Sequence, residues 1–211
     1  MAGRTTVCGR GAHVPPEPDL APSEIIARAE AIAATLVERQ AETEKRTYCA
    51  PDTHEAMVNA GLYRILVPRR YGGYGFGIET FLRVSMALAR GCPSTGWMYS
   101  LGAAHALNVA SLFGEEAQEE LFGTGDFICP AVAAPGGKAE QGPDGRWLIS
   151  GTWRYCSGAP YATHFLGHTL VSPGAGSLRN RWRSSCREGT GGSPRTGETT
   201  SGSGEAGRTA S

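Results

Sequence analysis

The chain has 211 residues, enough for one or two domains with a sizeable core. Its formal net charge is +0, which removes the electrostatic case for a nucleic-acid or anionic-membrane partner. No apolar run approaches the roughly 20 residues that a membrane-spanning helix needs.

The first segment, Met1 to Ala21, carries Arg4 and Arg10 but no apolar stretch, so it is not a secretory signal. Its Gly and Pro content predicts a disordered leader over 1–21, on a cytoplasmic protein. A helical block is expected over 22–125. Ser23 is the expected cap of a first helix with Glu24 in its first turn, and Ile25, Ile26, Ala29, Ile32, Ala33, Leu36 and Val37 recur at helical spacing. Asp52 and Glu55 form a D-x-x-E start signal for a second helix that Gly61 stops. A third is read from Ile78, Leu82, Met86 and Ala89 to Gly91, and Pro93 opens a fourth. On that fourth helix Trp97, Leu101, Ala104 and His105 lie on or near one stripe. A short fifth helix runs from Glu115 to Phe122 and ends at Gly123. The loop Gly73-x-Gly-x-Gly77 lacks the spacing of a nucleotide-binding fingerprint and reads as a turn.

After Asp126 the pattern changes to strands, expected over 126–170. Phe127 to Ala134 is an apolar strand candidate, and Gly142-Pro-Asp-Gly145 is a turn signal. Trp147 to Ser150 leads through Gly151 to Thr152–Cys156, and Tyr161 to Leu170 reads as a further strand. Helices first and strands second predict an α+β chain with segregated domains. From 171 to 211 the text is Gly, Ser, Arg and Thr with few large apolar residues, too few to offset the ordering cost of about 1–2 kcal/mol per residue. Two readings stand for this tail: a native disordered segment, or a shifted reading frame in GC-rich coding DNA.

Six cysteines fall at 8, 49, 92, 129, 156 and 186, with no C-x-x-C pair and no zinc-finger spacing, so reduced isolated thiols are expected. His164 and His168 share a spacing but have no further ligands near them, and no metal site is predicted.

Three segments carry a family likeness. Ala60-Gly-Leu-Tyr-Arg-Ile-Leu-Val-Pro-Arg-Arg-Tyr-Gly-Gly73 resembles a segment in the helical N-terminal domain of acyl-CoA dehydrogenases. Leu88-Ala-Arg-Gly-Cys-Pro-Ser-Thr-Gly-Trp97 resembles a helix start in the monooxygenase branch of that superfamily, which includes two-component flavin hydroxylases. Trp147-Leu-Ile-Ser-Gly-Thr-Trp-Arg-Tyr-Cys-Ser-Gly158 is similar to a segment of those hydroxylases and also to one of true dehydrogenases. The likeness covers roughly residues 25–170 and keeps the segments in order.

The resemblance implies a helical N-terminal domain, an antiparallel β-barrel-like middle domain of which only the start is present, and a C-terminal four-helix bundle missing from this chain. It implies a flavin, FAD or FMN. Ser157 would stand near the N5 edge of the ring, where a hydroxyl that both donates and accepts suits an atom that changes role on reduction. Tyr155 takes the place of an aromatic residue, and Cys156 adjoins the ring site as a buried thiol. Val132 and Ala133 fall where the first strand meets the ring, and Ala133 stands where dehydrogenases carry a threonine hydroxyl. Trp97 and His105 would border the substrate pocket, with His105 as acid, base or hydrogen-bond partner of an aromatic hydroxyl. From the helical pattern alone, a satisfied core residue is the expectation for His105, and still more so for Trp97.

Three functions follow. The first is a monooxygenase that hydroxylates an aromatic or polyketide-like small molecule with oxygen and reduced flavin from a separate reductase, homo-oligomeric when full length. The second is a true acyl-CoA dehydrogenase. The third is a non-catalytic fragment in which the flavin pocket is incomplete.

Overall fold

The computed structural model describes residues 14–123, 125–143, 145–171 and the backbone of 183–184. Among the described residues, six α-helices precede a small sheet: α1 (Pro22–Leu36), α2 (Gln40–Arg46), α3 (Pro51–Asn59), α4 (Ile78–Gly91), α5 (Pro93–Leu112) and α6 (Glu115–Phe122). The strands are β1 (Ala131–Gln141), β2 (Trp147–Gly151), β3 (Leu166–Val171) and β4 (Arg183–Ser184). Helices first and strands second is the order the sequence predicts.

The helix starts differ in detail from the expected caps. Ala21, not Ser23, is the cap of α1: Pro22 supplies a preset φ at the first position, and the Glu24 carboxylate accepts from the Ala21 N–H at 2.7 Å. Ala50, not Asp52, caps α3, again because a proline occupies the first position. Asp52 is thereby free to pair with Arg39 at 2.9 Å. Gly61 does end α3, with φ 76.

The leader prediction is corrected over residues 14–21. Glu17 forms a two-pronged pair with Arg28 at 2.6 and 2.7 Å and accepts from the Tyr74 hydroxyl at 3.3 Å, while Arg69 donates to the Pro18 carbonyl and Leu20 is buried. One charged residue with three donors in reach anchors a stretch whose composition suggested disorder. Residues 1–13, and the tail at 172–182 and 185–211, lie outside the described residues.

On α4 the predicted stripe is the wrong face. Ile78, Leu82 and Met86 are each about half exposed, whereas Phe81, Val84, Ala87, Leu88 and Gly91 are buried between α1 and α5. The helix carries two apolar stripes, and close approach selects between them. A Cβ on Gly91 would collide with the Ala33 carbonyl of α1, so the glycine lets the two backbones touch there.

The core runs from Ile25, Leu36, Met57, Leu62, Ile65 and Leu88 through Tyr99 to Phe122, Phe127 and Leu166. Strand residues thus join the helical core directly. The sheet has order β2-β1-β3-β4 and is mixed. β1 and β2 form an antiparallel hairpin from Gly137↔Gly151 to Gln141↔Trp147, closed by the predicted turn. β3 joins the other edge of β1 in parallel, and the antiparallel expectation is corrected at this pairing. The long excursion from Gly151 to Phe165, which carries the chain back past α5, makes a parallel return possible. β3 continues to Val171, and the backbone of Arg183–Ser184 pairs with its first residues in antiparallel fashion. Two strand bounds also move. Phe127–Pro130 is extended but outside the ladder, and β1 continues through Pro135-Gly-Gly137 to Gln141. The strand read from Tyr161 starts only at Leu166, after a helical turn at Ala159–Tyr161.

The strand-bearing part is pinned to the helices through Tyr161. Its ring stacks on His54 of α3 at 4.0 Å with an interplanar angle of 5°, and its hydroxyl donates to the Cys49 carbonyl at 2.9 Å. Arg64 and Asp126 form an ion pair at 2.7 Å where the helical block hands over. Burial of the His54 ring holds its pKa below the ordinary histidine value, against a smaller opposing pull from Asp126. The unfolded chain therefore takes up this proton first as pH falls. The contribution of neutral His54 to stability is complete above the unfolded value of about 6.5 and is lost as pH drops below it. We expect the melting temperature of the wild type to fall between pH 7 and pH 5 more steeply than that of His54→Gln. Parallel curves for the two proteins would refute this.

Candidate functional site

Helix α5 is the wall on which the predicted site residues gather. Cys92 is extended, Pro93 starts the helix, and Thr95, Met98, Tyr99, Gly102, Ala103, Ala106 and Val109 turn inward. Trp97 is 61% exposed, so it is not core. Its neighbours on the predicted stripe, Leu101 and His105, are half-buried.

The extended entry to β1 is laid along this helix. The Cys129 N–H donates to the Gly102 carbonyl at 2.8 Å. His105 Nδ1 lies 2.8 Å from the Leu101 carbonyl and 2.8 Å from the Cys129 carbonyl. Carbonyls only accept, so Nδ1 carries the proton and donates to both. Nε2 is then the acceptor of the neutral ring, on the side away from these carbonyls. On its other side the entry strand is clamped by Thr163, whose hydroxyl accepts from the Ile128 N–H at 2.9 Å. Gly102 and Thr163 were missed from the sequence. A glycine in mid-helix is a signal of close backbone approach, and a Cβ there would meet Ile128 at 3.2 Å. Thr163 had no comparable signal.

The second group of residues sits on the excursion after β2. A strand was expected over Thr152–Cys156, but the ladder stops at Gly151. Trp153 turns its indole N–H onto the His168 carbonyl at 2.9 Å instead. Tyr155 has φ 61 and Gly158 has φ 93, and two left-handed residues within four reverse the chain. Tyr155 is 94% exposed. Ser157 is half-buried at the head of the turn, its N–H donating to the Tyr155 carbonyl at 3.1 Å. Gly158 rests on α5: a Cβ there would lie 3.4 Å from Met98 and 3.8 Å from Pro130, in a backbone state that side chains avoid. The turn, the helix and the β1 entry thus meet at one place. The Trp97 indole N–H donates to Ser157 Oγ at 3.2 Å across that junction.

Cys156 is half-buried, and burial pushes its thiol up to about 11. Burial holds Cys129 and Cys49 higher still, each at about 12. At neutral pH these are thiols and not thiolates, which removes nucleophilic chemistry from them. The expected result is that none of the three reacts with Ellman's reagent at pH 7.5 until denaturant is added. Prompt labelling of Cys156 in the folded chain would contradict this.

Val132 is half-buried and Ala133 exposed at the start of β1. The pairing with β3 jumps from Val132↔Gly167 to Gly137↔Thr169, so residues 133–136 bulge out of the ladder. The Ala133 carbonyl is taken by His168 Nδ1. The bulge sets Ala133 and Ala134, both with small side chains, at the surface. The structure therefore brings Trp97 and Ser157 into contact, places Tyr155 and Cys156 on the same turn, and links His105 to the β1 entry two residues before Ala131. Val132 and Ala133 follow on that same strand.

Comparison with known proteins bears on the fold and the family. Residues 23–123 match the acyl-CoA dehydrogenase N-terminal domain. The chain is 34% identical over 149 residues to the flavin-dependent monooxygenase oxygenase subunit HsaA of Rhodococcus jostii (strain RHA1), covering 70% of this chain and 38% of that protein. It is 31% identical over 140 residues to the oxygenase component of the FADH2-dependent resorcinol hydroxylase of Rhizobium sp. (strain MTP-10005), covering 65% of this chain and 33% of that one. The crystal structure of the HsaA monooxygenase from M. tuberculosis superposes with a TM-score of 0.66 at 27% identity, over 72% of this chain and 41% of that chain. The chain thus spans well under half the length of these relatives. Residues 23–123 thus belong to the acyl-CoA dehydrogenase N-terminal domain family, and the relatives named here are oxygenase subunits or components of flavin-dependent enzymes.

Proposed function

We propose that this chain carries the flavin-facing part of a two-component monooxygenase that hydroxylates an aromatic small molecule. One observation carries the reading: a half-buried hydroxyl, Ser157, held at the junction of α5, the β1 entry and the Tyr155–Gly158 turn. Together with Ser157, the other candidate residues would suit a flat, largely apolar ring with one polar edge. Ala133 and Ala134 offer a low surface on the bulge, Trp97 and Tyr155 offer exposed aromatic faces, and Ser157 Oγ can still donate a proton. When bound, reduced flavin supplies two electrons to oxygen, so that one oxygen atom enters the product and the other leaves as water.

The chain's own residues do the rest. Ser157 hydrogen-bonds the ring edge and orients it. Helix α5 forms the wall facing the substrate, and His105 presents Nε2 to a substrate hydroxyl and takes its proton, or holds it, as the ring carbon is attacked. Ala133 has no hydroxyl to offer the ring, unlike the threonine of the dehydrogenase pattern, which favours hydroxylation over α,β-dehydrogenation of a thioester. FAD and FMN are both compatible with these contacts. A separate reductase would supply the reduced flavin, in keeping with the names of the relatives as oxygenase subunits or components. Assembly into a homo-oligomer and a cytoplasmic location belong to the same proposal. Among the described residues, no helix is long and apolar enough to cross a membrane.

The test is direct. The chain is supplied with FMN or FAD, a flavin reductase, NADH, oxygen and a phenolic substrate, and the products are weighed by mass spectrometry. The expected result is a product one oxygen atom heavier, absent when oxygen or the reductase is left out. Turnover of an acyl-CoA with an artificial electron acceptor and no reductase would overturn the reading in favour of a dehydrogenase.

A further inference from the structure

Trp97 is out of place as a core residue: the largest apolar side chain on α5 lies mostly in solvent, and its one polar atom points back at the turn. We infer that Trp97 is a positioning residue for the Ser157 hydroxyl. The inference rests on the reading of Ser157 as a flavin contact and adds a residue to it.

An indole N–H is a donor only, so Ser157 Oγ must be the acceptor of the 3.2 Å bond. A serine hydroxyl has two acceptor sites and one proton. Trp97 fills one acceptor site, and the remaining acceptor and the proton are left for whatever lies across the turn. Both are useful to a ring nitrogen that accepts in one redox state and donates in the other. Without Trp97 the side chain of Ser157 has three staggered positions open to it on a half-exposed turn. With it, the oxygen has one preferred place.

The backbone beneath is already fixed. The Ser157 N–H is bonded to the Tyr155 carbonyl, Tyr155 and Gly158 are both left-handed, and Gly158 sits on Met98. Met98 is the residue next to Trp97. Two consecutive residues of α5 thus grip the turn, one on its backbone and one on its side chain. No other side-chain hydrogen bond of the described residues ties Ser157 to the helical domain.

The experiment uses the full 211-residue chain, labelled with 15N, and FMN as the probe at up to millimolar concentration. Ser157→Ala should move the Trp97 indole N–H resonance and speed its exchange with solvent. FMN should shift the Ser157 amide in the wild type. Ser157→Ala should weaken FMN binding about tenfold and Trp97→Phe about fivefold, in the range expected for single hydrogen bonds. The double variant should be no weaker than Ser157→Ala alone, since Trp97 acts through that hydroxyl. Additive losses, or a Trp97 resonance indifferent to Ser157→Ala, would overturn the positioning role while leaving the flavin contact intact. A wild-type Ser157 amide unmoved by FMN would instead overturn the flavin contact, and the positioning role with it.

Discussion

Replacing His105 with asparagine is expected to slow hydroxylation by about 100-fold or more, with little loss of stability. The asparagine amide can stand where Nδ1–H stands and still donate to the carbonyls of Leu101 and Cys129, each 2.8 Å from His105 Nδ1. What it lacks is an atom in the place of Nε2. The substitution therefore separates two roles that the wild-type ring combines: the tie between α5 and the β1 entry, and the acceptor offered to a substrate hydroxyl. His105→Phe removes both and should add a drop in melting temperature to the loss of rate. Rates are to be compared with a phenolic substrate under saturating reduced flavin, with circular dichroism melts alongside. If His105→Asn retains activity within about threefold of the wild type, well short of a general-base effect, the histidine is only a structural tie.

The largest stability effect is expected at Tyr99, where truncation to alanine should cost about 3–5 kcal/mol. Tyr99 is fully buried, packs its ring against Tyr63 and Phe81 at 5.4 and 6.0 Å, and donates its hydroxyl to the Leu62 carbonyl at 2.9 Å. It thereby joins α5 to the helical turn after α3, which runs into the loop before α4. Truncation leaves a cavity at the centre of the helical core, and the Leu62 carbonyl loses its donor. Tyr99→Phe keeps the packing and should cost only about 1 kcal/mol. Since small domains have about 5–15 kcal/mol in total, the alanine variant should lose a large part of its cooperative unfolding transition. Urea denaturation followed by tryptophan fluorescence measures both. A Tyr99→Ala midpoint matching the Tyr99→Phe midpoint would show that the site collapses around the missing ring.

The order of elements could be read along the chain because local signals mark it. Prolines at the first positions of α1, α3 and α5, the left-handed Gly61 and the Gly142–Gly145 turn all act within a few residues of themselves. The three motifs that carry the family likeness are likewise short and contiguous. Of the candidate site residues, Trp97, Tyr155, Cys156 and Ser157 were named from their motifs and His105 from its helix, but nothing in the text showed that Trp97 reaches Ser157 across 60 positions.

Local chemistry, then, was enough to determine to within about two residues where α1, α3, α4, α5 and α6 begin and where strands take over, because caps, turns and periodicity act over one or two turns of chain. Tertiary structure alone decided which apolar stripe of α4 is core, that residues 14–21 are anchored by Glu17, that β3 runs parallel to β1, and which nitrogen of His105 bonds the β1 entry. Each of these depends on a partner distant in sequence: Ala33 against Gly91, Arg28 against Glu17, the excursion that returns the chain beside β1, and the Cys129 carbonyl against Nδ1. Contacts of that kind are set by packing geometry, which no local pattern encodes.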